Sequence, residues 1–152
     1  MKLAEALVLR ADLQKKLENL KRRLANSVRK LDDIQVIEDP EVLKLEAEET
    51  ITALYSLIDR IYRTNQSVIL PSGQSMVTVL AKRDELVERR KLLDYIINKS
   101  LPDSGLYFNE RGKWQPAIDI SAYQKQMDDI AMQIRRLNLD IQQTNWQVNL
   151  VA

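Results

Sequence analysis

From Leu3 to Leu31 the side chains recur in alternating steps of three and four: Leu3, Ala6, Arg10, Leu13, Leu17, Leu20, Leu24, Ser27 and Leu31. That spacing returns each residue to one face of an α-helix and makes a heptad-like seam. It predicts a helix over about residues 2–31. An amphipathic helix of this kind buries its stripe only against a partner, so the pattern commits the chain to helix-on-helix packing. Arg10 and Ser27 interrupt the stripe.

Three more segments repeat the logic. Asp39 and Pro40 have the character of an N-cap and first-turn residue, and Ala47, Ile51, Leu54, Ile58, Ile61 and Asn65 continue the stepping behind them. This second helix ends near "TNQSVILPSG", where Pro71 and Gly73 mark a turn. A third starts near Ser75 and carries Met76, Val79, Leu80, Arg83, Leu86, Val87, Leu93, Ile96 and Ile97, a stripe wider than one seam. In a fourth, Ser121 and Gln124 have capping-box spacing, and Tyr123, Met127, Ile130, Ile134, Leu137 and Ile141 recur as far as about Trp146.

Only 3 Gly and 4 Pro interrupt 152 residues. The four segments hold about 26 to 30 residues each, so at 1.5 Å rise they are all about 40 Å long. Matched lengths and short connections, at 32–40 and 67–74, predict an all-α fold. The expected architecture is an antiparallel up-down four-helix bundle in a single domain, residues 1–152. The exception is "KSLPDSGLYFNERGKWQPAIDI", residues 99–120. Tyr107 and Phe108 before "NERG", and Lys113 and Trp114 after it, read as a small β-hairpin closed at Gly112 in the connection between helices three and four.

In such a bundle the starts of helices one and three share an end with the finishes of two and four. Arg10, Asn65, Arg83 and Asn145 all interrupt or end an apolar stripe towards that end, which predicts a polar interior there. The arginines lie roughly 12 Å inside their helices, so Asp59 or Asp12 are nearer partners than the asparagines. Three readings stand: polar residues that fix register, an anion pocket for carboxylate or phosphate lined by Arg10 and Arg83, or arginines that reach solvent.

Other chemistry is narrowed by what is missing. The chain has no Cys and no His, which removes thiolate nucleophiles, serine–histidine triads and histidine metal ligands. No glycine loop for phosphate appears. "EAEE" at 46–49 and the Asp pairs at 32–33 and 128–129 read as solvated carboxylates, so neither a metal nor another cofactor is expected. With 23 basic and 22 acidic residues the net charge is +1, and the short basic runs alternate with acids, so nucleic acid is not an expected partner. "MKLAEALVLR" is broken by Glu5 and Arg10 and lacks the pattern of an export signal, and no run approaches a membrane span. A cytoplasmic protein without enzymatic activity is the expectation.

The apolar residues outside the helices point to a partner. Ile69 and Leu70 in the tight turn, Tyr107, Phe108 and Trp114 in the expected hairpin, and Trp146 in "WQVNLVA" are more apolar than connecting segments need to be. Contact with another copy of the chain would cover them.

The opening "MKLAEALVLRADLQKKLENLKRRL", "IYRTNQ", "LAKRDEL" and "TNWQVNL" together resemble a family of small bacterial helical proteins, some of whose members are named septicolysin. The resemblance spans essentially the whole chain. It implies a helical homo-oligomer, ring-like or hexameric, and the name implies a pore-forming cytolysin. Arg10, Arg63, Thr64, Asn65, Arg83, Asp84, Asn145 and Trp146 lie in the resembling segments. The expected function is a cytoplasmic, homo-oligomeric structural or interaction protein, with a membrane-active cytolysin and a small-anion binder as alternatives.

Overall fold

The computed structural model describes residues 1–101, 108, 109 and 112–152, without the side chains of 108, 109 and 113. Its helices are α1 (Leu3–Ala25), α2 (Pro40–Ser67), α3 (Met76–Ser100) and α4 (Ile120–Gln147). The fold is all-α. Between α3 and α4, β1 (Phe108–Asn109) pairs antiparallel with β2 (Gly112–Lys113) through Phe108 with Lys113 and Asn109 with Gly112. Two residue pairs make no sheet layer. Much of the expected hairpin, Tyr107 included, lies outside the described residues.

The helix starts follow from local chemistry. Asp39 Oδ1 accepts from the Glu41 N–H at 2.9 Å, and Pro40 opens α2, where its missing N–H costs nothing. Ser75 Oγ accepts from the Thr78 N–H at 3.2 Å at the head of α3. At α4 the cap is Asp119 rather than the expected Ser121 and Gln124 pair. Its Oδ1 accepts from the Ala122 N–H at 3.2 Å, because a carboxylate just before the first turn satisfies an orphan donor and meets the positive end of the helix dipole. Ser121 therefore falls inside the helix.

The first helix stops at Ala25, short of the expected residue 31. The Ser27 hydroxyl donates to the Arg23 carbonyl at 2.7 Å, and the Ser27 N–H takes the Leu24 carbonyl at 2.9 Å, so the last turn tightens instead of continuing. Asp32 adopts φ 47°, a left-handed conformation that Asp tolerates and that breaks any helical path. Leu31, expected on the seam, is exposed.

The chain forms two compact units, Met1–Val68 with Gln143–Ala152, and Ile69–Gln142. In the first, α1 and α2 pack antiparallel. Leu3 and Ala6, early in α1, share a core cluster with Leu57 and Ile61, late in α2, while Leu20 meets Leu43 and Ala47. Lys16 Nζ lies 3.1 Å from Glu46 Oε1, one turn from Leu20 and next to Ala47 in sequence. The buried seam of α2 runs through Leu43, Ala47, Thr50, Leu54, Leu57, Ile61 and Thr64. Ile51 and Ile58, which the sequence reading placed on it, lie one position aside and are exposed or half-buried. Threonine is tolerated on the buried line because Thr50 and Thr64 donate to the carbonyls of Glu46 and Arg60, at 2.8 and 2.7 Å.

In the second unit a tight turn precedes α3. The Leu70 N–H donates to the Gln74 carbonyl at 2.8 Å and the Gly73 N–H to the Leu70 carbonyl at 2.9 Å. Gly73 sits at φ +86°, where a side chain would be strained. Met76, Val79, Leu86 and Ile97 are buried along α3.

Candidate functional site

Residues 1–3 and 147–151 clasp each other across the first unit. The Leu3 N–H donates to the Val148 carbonyl and the Leu150 N–H to the Met1 carbonyl, both at 2.9 Å, forming an isolated antiparallel bridge between Lys2 and Asn149. Lys2 Nζ adds a 2.9 Å bond to the Gln147 carbonyl. From α2, Arg60 Nε donates to the Val151 carbonyl at 2.9 Å, and Thr64 Oγ1 accepts from the Val151 N–H at 3.0 Å. Leu150 then completes the cluster of Leu3, Ala6, Leu57 and Ile61. The apolar side of "WQVNLVA" is thus partly covered by its own chain, and Arg60, which the sequence reading did not single out, holds it in place.

Arg10, Asn65 and Asn145 belong to this same unit, Asn145 being buried and the other two half-buried. Arg10 Nε is shut from solvent and has no acceptor among the described residues. Asp59, one partner expected for it, instead accepts from Arg63 Nε at 2.9 Å, one helical turn away on α2. Arg83 belongs to the other unit, where its guanidinium bonds the neighbouring Asp84 carboxylate through Nε at 3.3 Å and Nη2 at 3.2 Å.

Of the expected contact residues, Ile69, Trp114 and Trp146 are more than half exposed. Leu70 is not available: it is only 3% exposed, because the turn that precedes α3 folds it inward. Tyr107 and the Phe108 side chain lie outside the described residues. In the second unit an open cleft of about 360 Å³ between α3 and α4 is lined by Val87, Arg90, Lys91, Asp94, Met127 and Ile134. Lys91 Nζ pairs with Glu88 at 2.9 Å.

Among the described residues, exposed aliphatic side chains concentrate at the connection between α1 and α2. Val28, Leu31, Ile34 and Ile37 are 60, 70, 63 and 101% exposed, and Val42 and Leu45 in the first turns of α2 extend the run at 62 and 58%. The sequence reading placed Leu31 inside a helix and passed over the rest. The signal was present: an aliphatic residue at every third position through a stretch punctuated by "DD" and "EDP".

This connection is tied to α1. Arg23 Nε reaches both Glu38 carboxylate oxygens at 3.1 Å, and Arg23 Nη2 also pairs with Glu38. The hydrogen bonds from Arg23 hold the Glu38 carboxyl below its ordinary value, the nearby positive charge adding to them. The same hydrogen bonds hold the Arg23 guanidinium above its own. No group of three or more acidic side chains that could hold a metal occurs among the described residues. No described helix is long and apolar enough to cross a membrane.

The model of a family of unknown function, DUF6847, matches residues 10–150. The structure is similar to the crystal structure of a functionally unknown conserved protein from Corynebacterium diphtheriae, at TM-score 0.87 and 30% identity, with 99% of each chain covered. No curated protein matches the chain.

Proposed function

The chain belongs to that family, and we propose that it is a non-catalytic, cytoplasmic helical protein that works by assembling with copies of itself. The observation that carries this reading is the exposed aliphatic run from Val28 to Leu45. Single exposed apolar residues are ordinary on a protein surface, but six large ones on one short stretch are not, and contact with another chain is what normally covers them. The exposed aromatic residues Trp114 and Trp146 add to the surface such an assembly would cover. Light scattering coupled to size-exclusion chromatography tests the reading: a mass that is a multiple of 17.7 kDa supports it, and 17.7 kDa at every load contradicts it.

The lytic activity implied by the septicolysin resemblance is the second reading. What favours it is the exposed aliphatic run itself, whose side chains could enter a lipid surface. Dye release from lipid vesicles at nanomolar protein would establish it; intact vesicles at micromolar protein would remove it. The anion-binding reading now rests on Arg10, since Arg83 already pairs with Asp84.

A further inference from the structure

We propose that the connection between α1 and α2 is a two-fold self-association surface, on which residues 28–37 of one chain dock against the same residues of a second copy. This rests on the self-assembly reading above and names the face that assembly uses. A connecting segment in water is normally polar. Here Val28, Leu31, Ile34 and Ile37 stand three residues apart and are all at least 60% exposed, so an aliphatic side chain faces solvent at each repeat.

The segment is also fixed in shape before it meets a partner. Glu38 is held by Arg23, the Ser27 hydroxyl is bonded back to α1, and the Ile34 N–H closes a turn on the Leu31 carbonyl at 3.0 Å. A surface ordered in advance loses less entropy on docking.

The charges identify the occupant. Arg29 and Lys30 precede Leu31, and Asp32 and Asp33 follow it. Among the described residues none of these four side chains has a hydrogen-bond or ion-pair partner. In a two-fold contact, residue i of one copy meets j of the other while j meets i. An axis near Leu31 sets the Arg29–Lys30 pair of each copy beside the Asp32–Asp33 pair of its mate, and all eight charges are matched. An acidic partner or an anionic membrane would be repelled by the aspartates, and a basic partner by Arg29 and Lys30. A second copy is the occupant that satisfies both signs.

The test is sedimentation velocity on the full chain, with helix content by circular dichroism confirming that each variant folds. Arg29→Glu with Lys30→Glu makes the face wholly acidic, and Asp32→Lys with Asp33→Lys makes it wholly basic. Each double variant alone is expected to self-associate at least about tenfold more weakly, since like charges now oppose each other. An equimolar mixture is expected to regain association, as complexes containing one of each. Ile37→Asp, on a fully exposed side chain, is expected to weaken association without loss of helix.

If wild type associates and all three variants associate equally well, this face is not the interface, although the self-assembly reading survives. If wild type is monomeric at every concentration, both fail. A mixture of the two folded charge variants that stays monomeric overturns the two-fold pairing. Binding of wild type to anionic vesicles that Ile37→Asp abolishes, with self-association unchanged, assigns the face to lipid and overturns the proposal.

Discussion

An arginine nitrogen that has left water without finding an acceptor destabilises the fold it sits in, and Arg10 Nε is in that position on α1. The rest of the side chain is only half-buried, so the penalty falls at the low end of the range for an unsatisfied polar group, about 1 kcal/mol. Arg10→Leu restores the apolar stripe between Ala6 and Leu13 and is expected to raise unfolding free energy by about that amount in a denaturant titration. An equal loss, or a thermal shift with phosphate that the substitution removes, would reveal a bound partner for the guanidinium. That position was legible as an interruption of the seam; that Asp59 would not meet it was not, because Asp59 is taken by Arg63 on the same helix. Glu38 gives a pH-dependent check. Its carboxyl is depressed in the folded state, so the Arg23 pairing stabilises the fold above the usual carboxylate range and is lost as pH falls through the folded value. By NMR, Glu38 should titrate below the ordinary range of a glutamate, and Arg23→Ala should return it to that range; an unchanged midpoint would show that Arg23 is not the cause.

Helices, turns and caps behave as local objects, and where their signals are local they could be read. Asp39 with Pro40 and Ser75 start α2 and α3 as their residue types dictate. The end of α1 could not be read in the same way, since residues 26–31 carry no Gly or Pro and the bonds that close the helix involve Ser27 and, farther along, Glu38. The register of α2 was hidden for a related reason: its seam uses Thr50 and Thr64, whose hydroxyls are silenced by backbone carbonyls, in preference to Ile51 and Ile58. Thr64 also holds the Val151 amide. Thr64→Val keeps the volume, removes the acceptor and is expected to cost about 1 to 3 kcal/mol, with the Val151 amide exchanging hydrogen faster. Unaltered exchange at Val151 would mean that the clasp does not depend on α2. Ile61, 1% exposed in the cluster that Leu150 completes, should cost about 2 to 5 kcal/mol on truncation to Ala by chemical denaturation. A cost below about 1 kcal/mol would mean that the cluster collapses around the missing side chain.

At the scale of the whole molecule, the all-α class was visible in the sequence because four long periodic segments leave little chain for anything else. Of the residues expected at a subunit contact, Ile69, Trp114 and Trp146 are exposed and Leu70 is folded inward, while the exposed aliphatic run from Val28 to Ile37 lay hidden in a segment read as helix and short loop. Whether apolar residues face a core or water depends on where α1 ends, and that in turn depends on contacts beyond one helical turn. Sedimentation velocity over a dilution series separates an assembly of like chains from a lone chain. An assembly at micromolar protein whose mass falls towards 17.7 kDa on dilution is expected; a lone 17.7 kDa boundary at every concentration would rule out self-assembly.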